Sequence, residues 1–339
     1  MKKFINDPKD LVSEMIYGFL QAFGGSFDKI PGRNGIVVSK REERVSVVTG
    51  GGSGGEPWCI GAVGDGLADG VAIGNIFAAP AATTIAEVCK HVYHDKGVLL
   101  VTGNHTGDAL NFELAAELAE IDSGIECKTV LVMDDLGSSG HKEERSGNAG
   151  IGIVVFLASA AAKEGNSLEK VWEIAQKVNR NLSTLSAVTK LGANPATGLP
   201  MGEIAEDAVH IGVGVTGEPG IFEEKFSTAK DIAERLMDLL TADLQLKPGD
   251  ETALFINGGG TVTVLEELIM CGHVCRYLRD RGIAVFDVDV TERLKVEKTE
   301  SITVSVLKLD EELKKYITAT ALTPLIAKHH YGGGQLEHT

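Results

Sequence analysis

Hydrophobic positions along the chain follow two rhythms. Leu11, Met15, Ile16, Phe19 and Leu20 recur at the three- and four-residue spacing of one helix face. Asp7 and Pro8 stand before them as a cap and a first-turn proline. "GIVVS" and "VSVVT" are short β-rich runs, the second leading into "GGGSGGEP" at 50–57. The spacing next predicts a helix in "ATTIAEVCKHVYH", a buried strand in "GVLLVTG" and a helix in "DALNFELAAELAE". "KTVLVMDD" reads as a strand ending in two aspartates, and "GIVVFLASAAAKEG" and "SLEKVWEIAQKVNRNL" as two helices. "GANPATGLPMGEIAEDA" is a Gly- and Pro-rich connection. Beyond it, "VHIGVGV", "TALFINGGG", "IAVFDVDV" and "ITVSVLKL" read as strands. "AKDIAERLMDLLTADL", "VTVLEELIMCGHVCRYLRDRG" and "DEELKKYI" read as helices. Alternation of this kind predicts the α/β class, as an N-terminal α/β domain at 1–185 and a C-terminal one at 186–339. The tail "HHYGGGQLEHT" is polar and glycine-rich and is expected to fray.

Composition narrows the function. A net charge of −16 disfavours a nucleic-acid partner, because phosphate backbones demand a basic face. "MKKFINDPKDL" turns polar before an apolar leader segment forms, and "VVFLASAAA" is too short to span a bilayer. The cysteines, Cys59, Cys89, Cys127, Cys271 and Cys275, are odd in number and scattered, as expected of reduced thiols in a cytoplasmic protein.

Candidate chemistry gathers where strands run into loops, the usual ligand edge of such sheets. The stretches are Gly50–Gly55, "GNHTGD" at 103–108, "VTGEPG" at 215–220 and "NGGG" at 257–260. Successive glycine N–H groups can form an anion nest, and Pro57 suits a first helical turn behind it. Yet Glu56 and Pro57 stand where a P-loop has Lys and Ser or Thr. The G-x-G-x-x-G match in "GGGSGG" has no ribose-binding acid after the next strand. Asp108 follows a strand and opens a helix, which suits either a cap or an acceptor of a hydroxyl proton. His105 is the second catalytic candidate, whereas His210 reads as structural. Cys271 and Cys275 sit on one helix face, Asp134 and Asp135 read as loop caps, and "HKEERSG" reads as a solvated or partner-facing loop. No metal site is expected.

Taken together and in order, "MKKFIND", "GGGSGGEP", "GNHTGDALNFELA", "ERSGNAG", "GVGVTGEPG" and "VLKLDEEL" resemble the substrate-binding subunit of dihydroxyacetone kinase. The resemblance covers nearly the whole chain and thins after residue 257. It implies two α/β domains, a ketose site on the first domain near the second, and a homodimer. It also implies a separate partner subunit carrying ADP or ATP with magnesium, in some members fed by a phosphotransferase-system phosphorelay subunit. No cofactor is expected in this chain itself. The implied substrate-binding residues are Gly51, Gly52, Ser53, Gly55, Asn104, Asp108 and Thr216.

The departures carry chemical weight. The family loop reads G-G-G-S-G-H-E-P, its histidine serving as acid and base; this chain has Gly55 there. The family's G-I-H-G-E-P-G histidine bonds covalently to the ketone; this chain has Thr216. Threonine cannot form that hemiaminal, so binding is expected to be non-covalent. Gly103 replaces the lysine many members carry, and "TERLKVEKTES" replaces the family's T-S-x-D-M-x-G run. Two main readings stay open: a kinase subunit using Asp108, and a non-catalytic metabolite sensor or transcriptional co-activator. A different enzyme on the same scaffold, using His105, is a third.

Overall fold

The computed structural model describes residues 3–40, 42–214, 217–291 and 293–332. The first domain holds α1 (Leu11–Phe23), β1 (Phe27–Lys29), β2 (Gly35–Val38), β3 (Ser46–Ser53), β4 (Gly70–Ile76) and α2 (Ala82–Val92). It continues through β5 (Val98–Gly103), α3 (Thr106–Ser123), β6 (Cys127–Val132), α4 (Gly150–Lys163) and α5 (Leu168–Asn181). The second holds β7 (Leu182–Lys190), β8 (Ala208–Ile211), β9 (Phe222–Lys225), α6 (Ala229–Asp243), β10 (Glu251–Gly260) and α7 (Val264–Asp280). β11 (Ala284–Val290), β12 (Glu300–Leu309), α8 (Glu311–Ile317), β13 (Ala321–Leu322) and β14 (Ala327–Lys328) complete it.

Each domain is built on a six-stranded sheet. The first runs β1-β2-β4-β3-β5-β6, with β4, β3, β5 and β6 parallel. The second runs β11-β10-β12-β7-β8-β9 and is antiparallel except for the β10–β11 pair. β3 is the switch point of the first sheet: the chain goes from it to β4 on one side, then to β5 on the other. Crevices at such points are where open α/β sheets bind ligands.

The two sheets sandwich a shared helical layer. α4 is buried at every position from Gly150 to Ala162. That explains the uniformly apolar "GIGIVVFLASAAA": a helix covered on all sides has no need of a polar face. One core joins β3, β5 and β6 through α4 and α5 to Phe255, Leu307 and Leu313 of the second domain. Separate cores pack α2 and α3 on the outer face of the first sheet and α6 and α7 on that of the second. No helix among the described residues is long and apolar enough to cross a membrane.

The hydrophobic pattern missed β4, β7 and the short strands β1, β9, β13 and β14, and misread the start of the first helix. α1 starts at Leu11; Pro8 stays outside it, and Asp7 accepts the Lys9 N–H in a turn. Most of the tail expected to fray, 333–339, lies outside the described residues; of the rest, His330 Nδ1 lies 2.8 Å from Asp287 and its ring stacks on Phe286. Buried Lys328 pairs with the same Asp287 at 2.6 Å. Thr323 meanwhile donates its hydroxyl to the Gly61 carbonyl at 2.7 Å. The end of the chain thus straps the second domain to the first.

Candidate functional site

The carboxyl ends of β3 and β5 open into a cavity of about 450 Å³. Close backbone approach selects the glycines along it. A Cβ on Gly50 would stand 2.2 Å from the Ala72 carbonyl oxygen, and one on Gly52 would stand 2.8 Å from the Ala78 nitrogen. A Cβ on Gly147 would meet the Gly103 Cα at 2.5 Å, so these two glycines let the approach to α4 rest on the end of β5.

The glycine stretch is not the loop its composition suggested. Gly50–Ser53 belong to β3, and the chain turns only at Gly54, whose φ of 111° favours glycine. The Gly54 N–H donates to both oxygens of Glu56, at 3.0 and 3.1 Å. The chain's own carboxylate therefore takes the donor a phosphate would need. Burial pushes the Glu56 carboxyl up, against the pull of that N–H. Pro57 does not open a helix either; turns and a short 3₁₀ segment, Ile60–Ala62, follow it. Both supports of the anion-nest reading are gone.

The start of α3 brings titratable side chains to the cavity. His105 occupies the N-cap position without a side-chain capping bond, and Asp108 lies in the first turn. Asp108 is therefore not the cap. Its Oδ2 lies 3.6 Å from His105 Nδ1, and its Oδ1 is buried with no hydrogen-bond partner among the described residues. An orphaned carboxylate oxygen is costly unless a ligand donor completes it. Burial works against a charged His105, but Asp108 outweighs it and holds the imidazole above its ordinary pKa. Glu218 of "GEPG" also lines the cavity.

The altered segment after residue 290 forms another wall, through Arg293, Leu294 and Val296. Asn257 of "NGGG" holds that segment: its Oδ1 accepts the N–H groups of Arg293 at 2.7 Å and Leu294 at 3.0 Å. Its Nδ2 donates to the Leu294 carbonyl at 2.9 Å. Backbone bonds stitch the segment to the glycine turn, Lys295 N–H to the Gly55 carbonyl and Trp58 N–H to the Arg293 carbonyl, both at 3.1 Å. Leu294 Cδ1 stands 2.6 Å from where a Gly55 Cβ would be.

Among the expected site residues, Gly51, Gly52, Gly55, His105 and Asp108 share the cavity. Ser53 does not line it; its buried hydroxyl donates to the Gly74 carbonyl at 2.8 Å. Asn104 does not line it either. Its N–H goes to the Val132 carbonyl and its Nδ2 to the Arg145 carbonyl, both at 2.9 Å. Thr216 lies outside the described residues.

"HKEERSG" is only partly a solvated loop. Glu143 and Glu144 are exposed, but Arg145 is buried and grips Asp243 with two bonds, at 2.6 and 2.9 Å. Asp134 and Asp135 are buried, not solvated. Asp134 accepts the N–H groups of Asn148 and Gly150 at the start of α4, and Asp135 accepts from Gly137 and Asn148. Burial, then the neighbouring Asp134 charge, push the Asp135 carboxyl up to about 7. His210 pairs with Glu223 across β8 and β9. Cys271 and Cys275 sit 4.0 Å apart on one face of α7, packed on the second core. Trp58, Ile151 and Ile326 line the cavity and were not singled out from the sequence, where each reads as one more core residue.

The chain matches the Dak1 domain over residues 17–325. It is 37% identical over 330 residues to the D-erythrulose kinase of Mycolicibacterium smegmatis, covering 97% of this chain and 57% of that protein. It is 33% identical over 327 residues to the dihydroxyacetone-binding subunit DhaK of PTS-dependent dihydroxyacetone kinase 2 of Listeria innocua, covering 96% and 98%. Among solved structures, dihydroxyacetone kinase from C. freundii superposes with a TM-score of 0.89 at 24% identity, over all of this chain and 63% of that one. The dihydroxyacetone kinase operon co-activator DhaQ superposes at 0.84 and 26% identity, over 90% and 95%. The parallel sheet with its switch point at β3, the cavity above it and these matches across the chain give one conclusion: the protein belongs to the Dak1 family, beside the dihydroxyacetone-binding DhaK subunits.

Proposed function

We propose that this chain is the substrate-binding subunit of a dihydroxyacetone-kinase-like phosphotransferase, and that it holds a small ketose non-covalently. The observation that carries this reading is Asp108, which lines the cavity and whose buried Oδ1 has no donor among the described residues. A ketose hydroxyl supplies that donor. In the transfer step the hydroxyl oxygen forms a bond to phosphorus, the bond from phosphorus to the donor breaks, and the hydroxyl proton passes to Asp108. His105, held toward its charged form, steadies the carboxylate. Phosphoryl transfer depends chiefly on positioning and charge stabilisation, so one carboxylate can serve where the Gly55 position has lost its histidine. ADP or ATP with magnesium sits on a separate subunit in this reading, and the chain acts as a cytoplasmic homodimer.

The test mixes the purified chain with a nucleotide-bearing partner subunit and screens C3 to C5 ketoses for phosphorylated product. Turnover that disappears in Asp108→Asn supports the reading; ligand binding without turnover in any combination contradicts it.

A second reading has its own support. Leu294 Cδ1 lies 2.6 Å from where a Cβ at 55 would stand, so a residue larger than glycine there needs Leu294 to turn away, and the acid–base position is emptied in this chain. The likeness to the DhaQ co-activator fits a chain that senses its ligand without turning it over.

A further inference from the structure

α7 buries one side only. Met270, Val274, Tyr277 and Leu278 pack into the second core. At about 3.6 residues per turn the opposite side carries Leu265, Leu268, Ile269 and Gly272, then Arg276 and Arg279, all exposed. A helix face turned to water is ordinarily polar. Here Leu265 is 70% and Leu268 57% exposed. Exposed Val264 precedes them, and exposed Phe226 shares a groove with Ile269.

Area and charge name the occupant. Together these apolar side chains present on the order of 500 Å², the size of patch that marks an interaction site. That is more than half of the ~800 Å² each partner contributes to a stable interface. The groove of Phe226 and Ile269, about 540 Å³ between the starts of α6 and α7, is lined by Glu206, Glu266 and Glu300 and by no Lys or Arg among the described residues. The C-terminal half of α7 carries the opposite charge, in Arg276 and Arg279. Glu206 and Arg276 are exposed, and neither makes an ion pair with a described residue. One face therefore holds an apolar centre, an acidic end and a basic end.

We infer that this face of α7 binds a second copy of the chain, the two α7 helices running antiparallel across a two-fold axis beside Ile269 and Gly272. A two-fold pairing needs a surface complementary to itself. In the antiparallel arrangement Leu268 and Ile269 of the two copies cover one another, and each Arg276 reaches the Glu206 groove of the other copy. A parallel pairing would set Arg276 against Arg276. Gly272 suits the crossing: even a Cβ there would meet nothing within 4 Å, so no side chain holds the helices apart. α3 also exposes apolar side chains, Leu110, Leu114 and Ile121, but every charge on that helix is acidic, so its stripe repels its own copy. The inference rests on the homodimer of the proposed function, adds its surface, and leaves the ketose site apart.

Analytical sedimentation of the full chain at about 1–50 μM tests this. The native chain is expected to sediment as a dimer. Leu268→Glu is expected to raise the dimer dissociation constant at least about a hundredfold, and Leu110→Glu on α3 to leave it unchanged. Arg276→Glu and Glu206→Arg are each expected to weaken the dimer about tenfold. An equimolar mixture of those two variants is expected to regain native affinity, because the mixed dimer restores both ion pairs. Circular dichroism confirms that each variant is folded. A native chain that stays monomeric overturns the second copy and the homodimer with it, and leaves the Asp108 reading standing. A dimer that survives Leu268→Glu, or that Leu110→Glu dissociates, overturns the α7 face alone. Charge variants without effect, or no recovery in their mixture, overturn the antiparallel pairing.

Discussion

Leu294 Cδ1 and the position of a Cβ on Gly55 are 2.6 Å apart, closer than two carbons can pack. The two residues divide one space between the glycine turn and the segment after β11. Leu294 Cδ1 is the free end of a rotatable side chain, so Gly55→His forces it to turn away and is expected to destabilise the chain by about 1 kcal/mol, the low end of overpacking. Combining it with Leu294→Ala is expected to recover part of that loss. A double-mutant cycle by urea unfolding measures the coupling. Additive effects would show that the two side chains do not compete.

Asp108 Oδ1 is buried with no donor among the described residues, while its Oδ2 faces His105, so Asp108→Asn removes an unsatisfied charge together with the partner of His105 and is expected to change unfolding stability by no more than about 1 kcal/mol. Ligand affinity is expected to fall in the same variant. Melting curves and titrations on one preparation check both; a clear loss of stability would assign Asp108 to structure.

The Arg145–Asp243 pair ties the loop before α4 to the end of α6. Arg145→Met leaves Asp243 without its partner and is expected to cost about 3 kcal/mol. The pair also has a pH signature. Burial alone would raise the Asp243 pKa, but Arg145 outweighs it and holds the carboxyl below its ordinary value. Its stabilisation is present above the unfolded-state pKa, about 3.9, and is lost as pH falls through the lower folded value. Denaturant unfolding between pH 2 and 5 is expected to show an acid-labile component in the native protein that Arg145→Met lacks.

Near neutrality the sign reverses. Asp135, pushed up to about 7 by burial and by Asp134, keeps its proton in the folded chain but loses it near 3.9 when unfolded. His105 also binds its proton more tightly folded than unfolded, because Asp108 outweighs the cost of burial. Both make the folded state the better proton binder, so stability is expected to fall as pH rises from about 5 to 8. Chemical denaturation across that range checks it; a rising profile would contradict the environments of both residues.

Much of this architecture is legible in the hydrophobic pattern, because most helices and central strands bury a periodic face. β7 escaped because "LSTLSAVTK" is rich in Ser and Thr, whose hydroxyls pair inside the sheet, Thr184 with Ser305 and Ser186 with Thr303. Tertiary hydrogen bonding of that kind has no sequence period. The polar lining of the site was legible through Asp108 and His105, which follow β5 directly. The apolar lining was not. Trp58, Leu294 and Ile326 come from three distant segments, and only the fold brings them to one cavity. Ser53 and Asn104 lie off the cavity lining for a related reason: local sequence does not show that the carbonyls of Gly74 and Arg145 accept their side chains.

The most direct test of the central claim is one titration, D-erythrulose into the native chain and into Asp108→Asn. A hydrogen bond to a charged carboxylate contributes about 1.5–3 kcal/mol, so the variant is expected to bind roughly ten- to a hundredfold more weakly. Equal affinity in the two proteins would contradict the assignment of Asp108 as the ketose anchor.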